Sequence, residues 1–385
     1  MRRWRVACAV VTLALVMSGY ATVSSASSTA STSDPGAAAN LACATTIVAS
    51  WSLARQANET IAISVNALDV GGMGPAARAG YGGILLFGTQ APAGFSGTVA
   101  ALQRETPNKY AMLVMTDQEG GGVERLTNLV ATLPWAQTMG KNLSASEITG
   151  EGKRVGLSMK GAGVNVDLAP VLDVDGRAQE PDSVNPDGYR SFSGVASTVA
   201  SDGVACLTGL RQAGVTAVVK HFPGLGHATG NTDDGPARTL PWTTLKTSGL
   251  IPFQAAINDG VSAVMISNAT IPGFTSMPSS ISPNVISYLR NQMGFKGLIV
   301  TDSLSARALS DIHLGVPEAS VEALEAGADL VLAGLATAPA SSLHLALERS
   351  NAIQQAVASG ALSQATLRAA AAQVLAVENP SLICS

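Results

Sequence analysis

The residues of this chain that could do chemistry sit where short apolar runs end. Asp302 directly follows Gly297-Leu-Ile-Val-Thr. A second run leads into Lys220-His221-Phe-Pro-Gly-Leu-Gly-His227-Ala-Thr-Gly-Asn-Thr-Asp233-Asp234, whose glycines and proline predict an irregular loop carrying two carboxylates and two of the four histidines. A third passes through Thr116-Asp117-Gln-Glu119 into three glycines, then Val123, Glu124 and Arg125. Two carboxyl groups on opposite sides of one pocket suit the cleavage of a glycosidic bond. One protonates the leaving oxygen, and the other attacks the anomeric carbon or activates water. Asp302 with Asp233 or Asp234 would supply that pair. Asp117 has the chemistry to accept paired hydrogen bonds from vicinal hydroxyls, with Arg125 orienting either it or the substrate. The plainer alternatives are a helix-capping role for Asp302 and a structural Asp117–Arg125 pair at a rim.

Other chemistries fit these segments less well. Gly224, Gly226 and Gly230 match neither the dinucleotide fingerprint nor a P-loop. His221 and His227, with only His313 and His344 besides, do not make a catalytic metal set. Asp173-Val-Asp175-Gly176 lacks the later acidic ligands of a calcium loop. No metal and no cofactor is therefore expected. The 385 residues carry 23 basic and 27 acidic side chains, a net charge of −4, which argues against nucleic acid as a partner and leaves a carbohydrate as the expected one. The sequence leaves the oligomer open.

Positioning these groups falls to eight apolar runs: 61–65, 83–87, 111–115, 164–168, 217–219, 263–266, 297–300 and 330–333. They are separated by helix-length segments, and apart from Ser64 in the first and Asn165 and Asp167 in the fourth each is continuously apolar, as befits a strand covered on both faces. The expectation is an α/β fold, a (β/α)8 TIM-type barrel over residues 41–385. In such a barrel every C-terminal strand end opens onto one mouth, which gathers Asp117, Glu119, Asp167, Asp173, Lys220, His221, Asn268 and Asp302.

Residues 1–26 read as a signal peptide: Arg2, Arg3 and Arg5 precede an apolar core from Val6 to Met17 that is shorter than the roughly 20 apolar residues of a membrane span. Tyr20 stands where a bacterial lipoprotein would carry its lipid-bearing Cys. Residues 27–40, rich in Ser, Thr and Ala, are expected to form an unpacked spacer. Export and the absence of an integral membrane span follow as expectations. Of the cysteines left after removal of the leader, Cys206 lies in an apolar helical stretch as a buried thiol, so Cys43 and Cys384 are expected to pair.

Five ordered motifs carry a resemblance. Asp-Gln-Glu-Gly-Gly-x-Val-x-Arg (117–125), Asn-x-Asp-x-Ala-Pro-Val-x-Asp-Val (165–174), Arg-Ser-Phe (190–192), Lys-His-Phe-Pro-Gly-x-Gly (220–226) and Thr-Asp-Ser-Leu-Ser (301–305) resemble the barrel of glycoside hydrolase family 3. The similarity covers residues 45–375 and is nearest to the single-domain bacterial β-N-acetylhexosaminidase branch. It implies retention of anomeric configuration, Asp302 as nucleophile, and sugar hydroxyls held by Asp117, Lys220, His221 and Arg190 with support from Arg125. It also implies removal of terminal β-linked N-acetylglucosamine from peptidoglycan fragments or chito-oligosaccharides. One departure bears on mechanism. Where that branch has an Asp–Ser/Thr–His acid dyad, this chain has Asn231, Thr232 and Asp233, so Asp233, Asp234 or His227 remains as the proton donor. The alternatives are a sugar-binding protein that has lost its acid, or a family member of other specificity, a β-glucosidase or phosphorylase.

Overall fold

The structure, a computed structural model, describes residues 35–334, 338–382 and 384. The expected leader and the start of the spacer lie outside the described residues. Ten strands follow in chain order: β1 (Ala62–Asn66), β2 (Gly83–Phe87), β3 (Leu113–Thr116), β4 (Gln118–Gly120), β5 (Val123–Glu124), β6 (Val166–Asp167), β7 (Thr216–Phe222), β8 (Ala263–Ile266), β9 (Leu298–Ser303) and β10 (Leu330–Leu332). Eight pair in parallel in the order β1-β2-β3-β6-β7-β8-β9-β10, while β4 and β5 form a separate antiparallel hairpin. This is the expected (β/α)8 arrangement, with helices around the sheet.

Continuous apolarity has its reason in the alternation of side chains along each strand. Ala62, Leu85, Leu113, Met115, Val166, Val218, Ala263, Met265, Leu298, Val300, Leu330 and Leu332 fill the barrel interior. Their neighbours, such as Ile63, Ile84, Val114, Val219, Val264 and Ile299, pack outward against the helices.

Strand boundaries shift where side chains compete for backbone groups. The fourth barrel strand is two residues long because Asn165 inserts its amide into the ladder: Val114 N–H donates to its Oδ1 (2.7 Å) and its Nδ2 donates to Met112 O (3.1 Å). Likewise β3 begins late, since the N–H groups of Ala111 and Met112 donate to the side chains of Asn379 and Gln103. In the other direction β7 continues to Phe222, so Lys220 and His221 belong to the strand and not to the loop after it, and β9 includes Asp302.

Among the described residues the barrel closes through the parallel bridge Ile61 to Val331, with Val331 N–H donating to Thr60 O (2.9 Å). A buried side chain reinforces this seam. Arg349, from helix Pro339–Ser359, donates from its two terminal nitrogens to Ala62 O (3.1 Å) and Val331 O (2.8 Å), and from Nε to Ser320 (3.0 Å).

Helix Pro35–Ala49 begins inside the segment expected to be spacer. Ala44 and Val48 pack on Ala371, Ala372 and Leu375 of helix Gln364–Glu378, and Asn40 donates to Ala376 O (2.8 Å) while accepting from Leu382 N–H (2.9 Å). Six residues of the segment are therefore structured, because their apolar neighbours find a helix face to cover. Cys43, on the same helix, is bonded to Cys384 across a sequence separation of 341 residues, as expected, and Cys206 is free and buried, its thiol pushed up to about 12 by burial. Cys43→Ser should lower the free energy of unfolding by about 3–5 kcal/mol, the loop-entropy value for so long a loop. Denaturant titration of the oxidised wild type beside the variant measures it, and coincident curves would refute it.

Candidate active site

At the C-terminal mouth of the barrel is a cavity of about 480 Å³, within the range of small-ligand sites. Its floor is the top of the barrel interior, with Leu85, Leu168, Met265 and Leu332, and its walls carry Asp117, Glu119, Arg125, Arg190, Lys220, His221, Asp233 and Asp302. All seven residues expected at the site from the sequence therefore meet in one cavity. Asp234 and His227 are exposed and do not line it. Of the three candidates for proton donor, Asp233 is the one the fold brings in.

Lys220 is the most buried of these wall residues. Its Nζ contacts Asp117 Oδ1 (2.7 Å) and Glu119 Oε1 (2.6 Å), and Glu119 in turn accepts from Arg190 Nε (2.7 Å) and a terminal nitrogen (2.8 Å) in a two-pronged pair. Burial alone would raise the Glu119 carboxyl, but Arg190 and Lys220 hold it far below the usual carboxylate range. Burial likewise works against the Lys220 charge, and Asp117 and Glu119 outweigh it, keeping the ammonium protonated. Arg125 stands farther off, 4.0 Å from Asp117 and over the ring of Phe87.

His221 is fixed from both sides. Asp173 accepts from its Nδ1 (2.6 Å), and Arg190 approaches its Nε2 at 3.4 Å. These partners select the tautomer with the proton on Nδ1. Burial and then the Arg190 charge push the imidazole down to about 4, so it is neutral at physiological pH. The Lys220–His221 peptide is cis, as are Ala169–Pro170 and Phe222–Pro223.

Asp302 accepts from the N–H of Ser303 (2.7 Å), and it is not the cap of the helix that follows, Arg307–Ser310, whose N-cap is Ala306. Burial raises its carboxyl and the Asp233 charge adds to the rise. Asp233 sits at the rim, its N–H donating to Asn231 Oδ1 (3.0 Å). Its carboxyl is raised by partial enclosure and then by Asp234. The loop is tied down by Asn231 N–H to Ser183 O (2.8 Å) and Ala308 N–H to Thr232 O (3.0 Å). Two glycines permit close approaches here. A Cβ on Gly226 would meet Val174 O at 2.0 Å, and Gly121, at φ +59°, packs against the face of Trp135.

An apolar-floored cavity with one carboxyl at its base, another at its rim and buried charges between them can hold a sugar ring and cleave the bond at its anomeric carbon. The model of the glycosyl hydrolase family 3 N terminal domain matches residues 74–377. This chain belongs to glycosyl hydrolase family 3. Within the family it is similar to the beta-hexosaminidase LpqI of Mycobacterium tuberculosis, 31% identical over 280 residues that cover 71% of this chain and 69% of that one. The solved structure of M. tuberculosis LpqI superposes with a TM-score of 0.78 at 29% identity, over 89% of this chain and 98% of that one. The beta-N-acetylhexosaminidase of Beutenbergia cavernae does so at 0.76 and 29%, over 86% and 99%.

Three participants had no role assigned from the sequence, although Glu119 and Asp173 stood among the polar residues at strand ends. Glu119 lay in a quoted motif but carried no role, because only the fold shows Lys220 and Arg190 converging on it. Asp173 and Asp187 lie in irregular segments around residues 172–190, where no periodicity marks a side chain as inward-facing. Asp173, Asp187 and His221 are also the group, among the described residues, whose ligand atoms approach closely enough to consider a metal ion. Asp173 is already occupied, accepting from the N–H groups of His221 and Leu225 as well as from the imidazole.

The ion cluster generates a prediction. Glu119→Ala should cost about 3–5 kcal/mol of stability, because Arg190 and Lys220 lose a shared buried counter-ion. Since the folded-state carboxyl is held low, that contribution is present above the ordinary carboxylate range and fades as pH falls below it. Thermal unfolding of both proteins against pH should show the gap closing in acid, and a gap independent of pH would contradict the assignment.

Proposed function

We propose that this glycosidase removes terminal β-linked N-acetylglucosamine with retention of configuration, through Asp302 as nucleophile and Asp233 as acid and base. The convergence of Asp302 and Asp233 on one cavity, in a chain similar to named hexosaminidases, carries the reading. Asp302 attacks the anomeric carbon while the proton of Asp233 passes to the leaving oxygen, giving a covalent glycosyl-enzyme and a free aglycone. The ionised Asp233 then takes a proton from water as that water displaces Asp302. Burial and the neighbouring Asp234 charge favour the protonated form that the first step requires. Asp117, Lys220, Arg190 and the neutral His221 present acceptors and donors to the ring hydroxyls, and Arg125 backs Asp117.

The natural substrates we assign are peptidoglycan fragments or chito-oligosaccharides outside the cytoplasm. Support for export comes from the basic, then apolar, leader and from the Cys43–Cys384 bond, which persists in oxidising compartments. No helix of the described residues is long and apolar enough to cross a membrane.

Release of nitrophenol from a panel of nitrophenyl glycosides tests the reading, with the β-N-acetylglucosaminide expected to turn over fastest. A panel left intact would instead identify a sugar-binding protein that has lost its acid, the reading favoured by the missing dyad histidine. Asp302→Asn should lower kcat by about 10³-fold or more, close to 4 kcal/mol of barrier, and wild-type turnover would exclude it as nucleophile. Asp233→Ala should slow oligosaccharides by about 10²–10⁴-fold but nitrophenyl substrates far less in the glycosylation step, with azide restoring deglycosylation. Equal losses on both substrate types would move the proton donor elsewhere.

A further inference from the structure

Behind the sugar-facing groups lies a carboxyl that the mechanism does not use. Asp187 is fully buried, and neither of its oxygens meets a hydrogen-bond donor. It stands within 4.8 Å of the ligand atoms of Asp173 and His221. A carboxylate buried in this way, without a donor and beside a second carboxylate, is not a stable ion. Asp173 is the better anion of the two, because it accepts from the His221 N–H (3.2 Å), the Leu225 N–H (2.6 Å) and the imidazole Nδ1 (2.6 Å).

We infer that Asp187 keeps its proton and donates it to Asp173, and that it acts as a positioning residue linking the Arg190 loop to the His221 imidazole. Its backbone serves the same end, since Asp187 O accepts from Arg190 N–H (2.8 Å). The chain of contacts runs from Asp187 to Asp173, to His221 Nδ1, and from His221 Nε2 to Arg190, closing a ring around two residues that face the sugar. Asp173, His221, Arg190 and Arg177 are the charged or titratable groups that act on Asp187 or feel its charge. Burial and then the Asp173 charge push the Asp187 carboxyl well upward, in keeping with a retained proton. An ionised Asp187 would repel Asp173 and loosen the ring.

This inference rests on the glycosidase reading for its kinetic arm only. Asp187→Asn supplies an amide donor of the same shape, whereas Asp187→Leu supplies none. On nitrophenyl β-N-acetylglucosaminide, kcat/KM of the Asn variant should stay within about 3-fold of wild type, while the Leu variant should raise KM by about 10-fold or more with a smaller change in kcat. Infrared spectroscopy provides an arm without any sugar: the carbonyl band of a protonated carboxylic acid at neutral pH should be present in the wild type and diminished in Asp187→Asn. An Asn variant as impaired as Leu, or an unchanged carboxylic acid band, would overturn the shared proton. So would activity that EDTA removes and zinc restores, which would make the three residues a metal site. If the wild type hydrolyses nothing while the infrared band behaves as described, the glycosidase reading fails and the shared proton stands.

Discussion

The Lys220 ammonium, enclosed between Asp117 and Glu119, is the interaction on which the mouth of this barrel depends. It joins the end of β7 to the residues that follow β3, two strands that are not neighbours in the sheet. Through Glu119 it also captures Arg190, and with it a long segment that has almost no regular secondary structure. Desolvating these charges is costly, and each survives because another neutralises it at hydrogen-bond distance.

Much of the fold could be read from the sequence because a strand covered on both faces has to be apolar throughout. Runs such as 83–87 and 263–266 coincide with β2 and β8. What could not be read is how side chains take over backbone hydrogen bonds. Asn165 shortens β6 because its amide fits the ladder, and no local pattern distinguishes that Asn from one in a turn. At the site, the residues at strand ends were visible because a polar residue after an apolar run is conspicuous. The role of Glu119 and the place of Asp187 were not, since both come from what approaches these residues in space.

The two carboxyls assigned to the reaction occupy different surroundings, and that difference suits two roles. Asp302 is at the base, beside a neutral imidazole and with a backbone N–H on one oxygen. Asp233 is at the rim beside a second carboxylate, on a loop anchored at Asn231 and Thr232 but glycine-rich before them. A family member lacking the dyad histidine thus retains a carboxyl whose surroundings favour holding a proton.

The seam between β1 and β10 has a bearing on synthesis. Strand β1 is made early and its partner late, and the seam waits further for Arg349, which reaches the carbonyls of Ala62 and Val331. Until then a nascent chain presents the unpaired edge of β1, a surface prone to pairing with other chains. A product truncated ahead of Arg349 would keep that edge open, so the last helices are as much a guard against aggregation as a cover for the core.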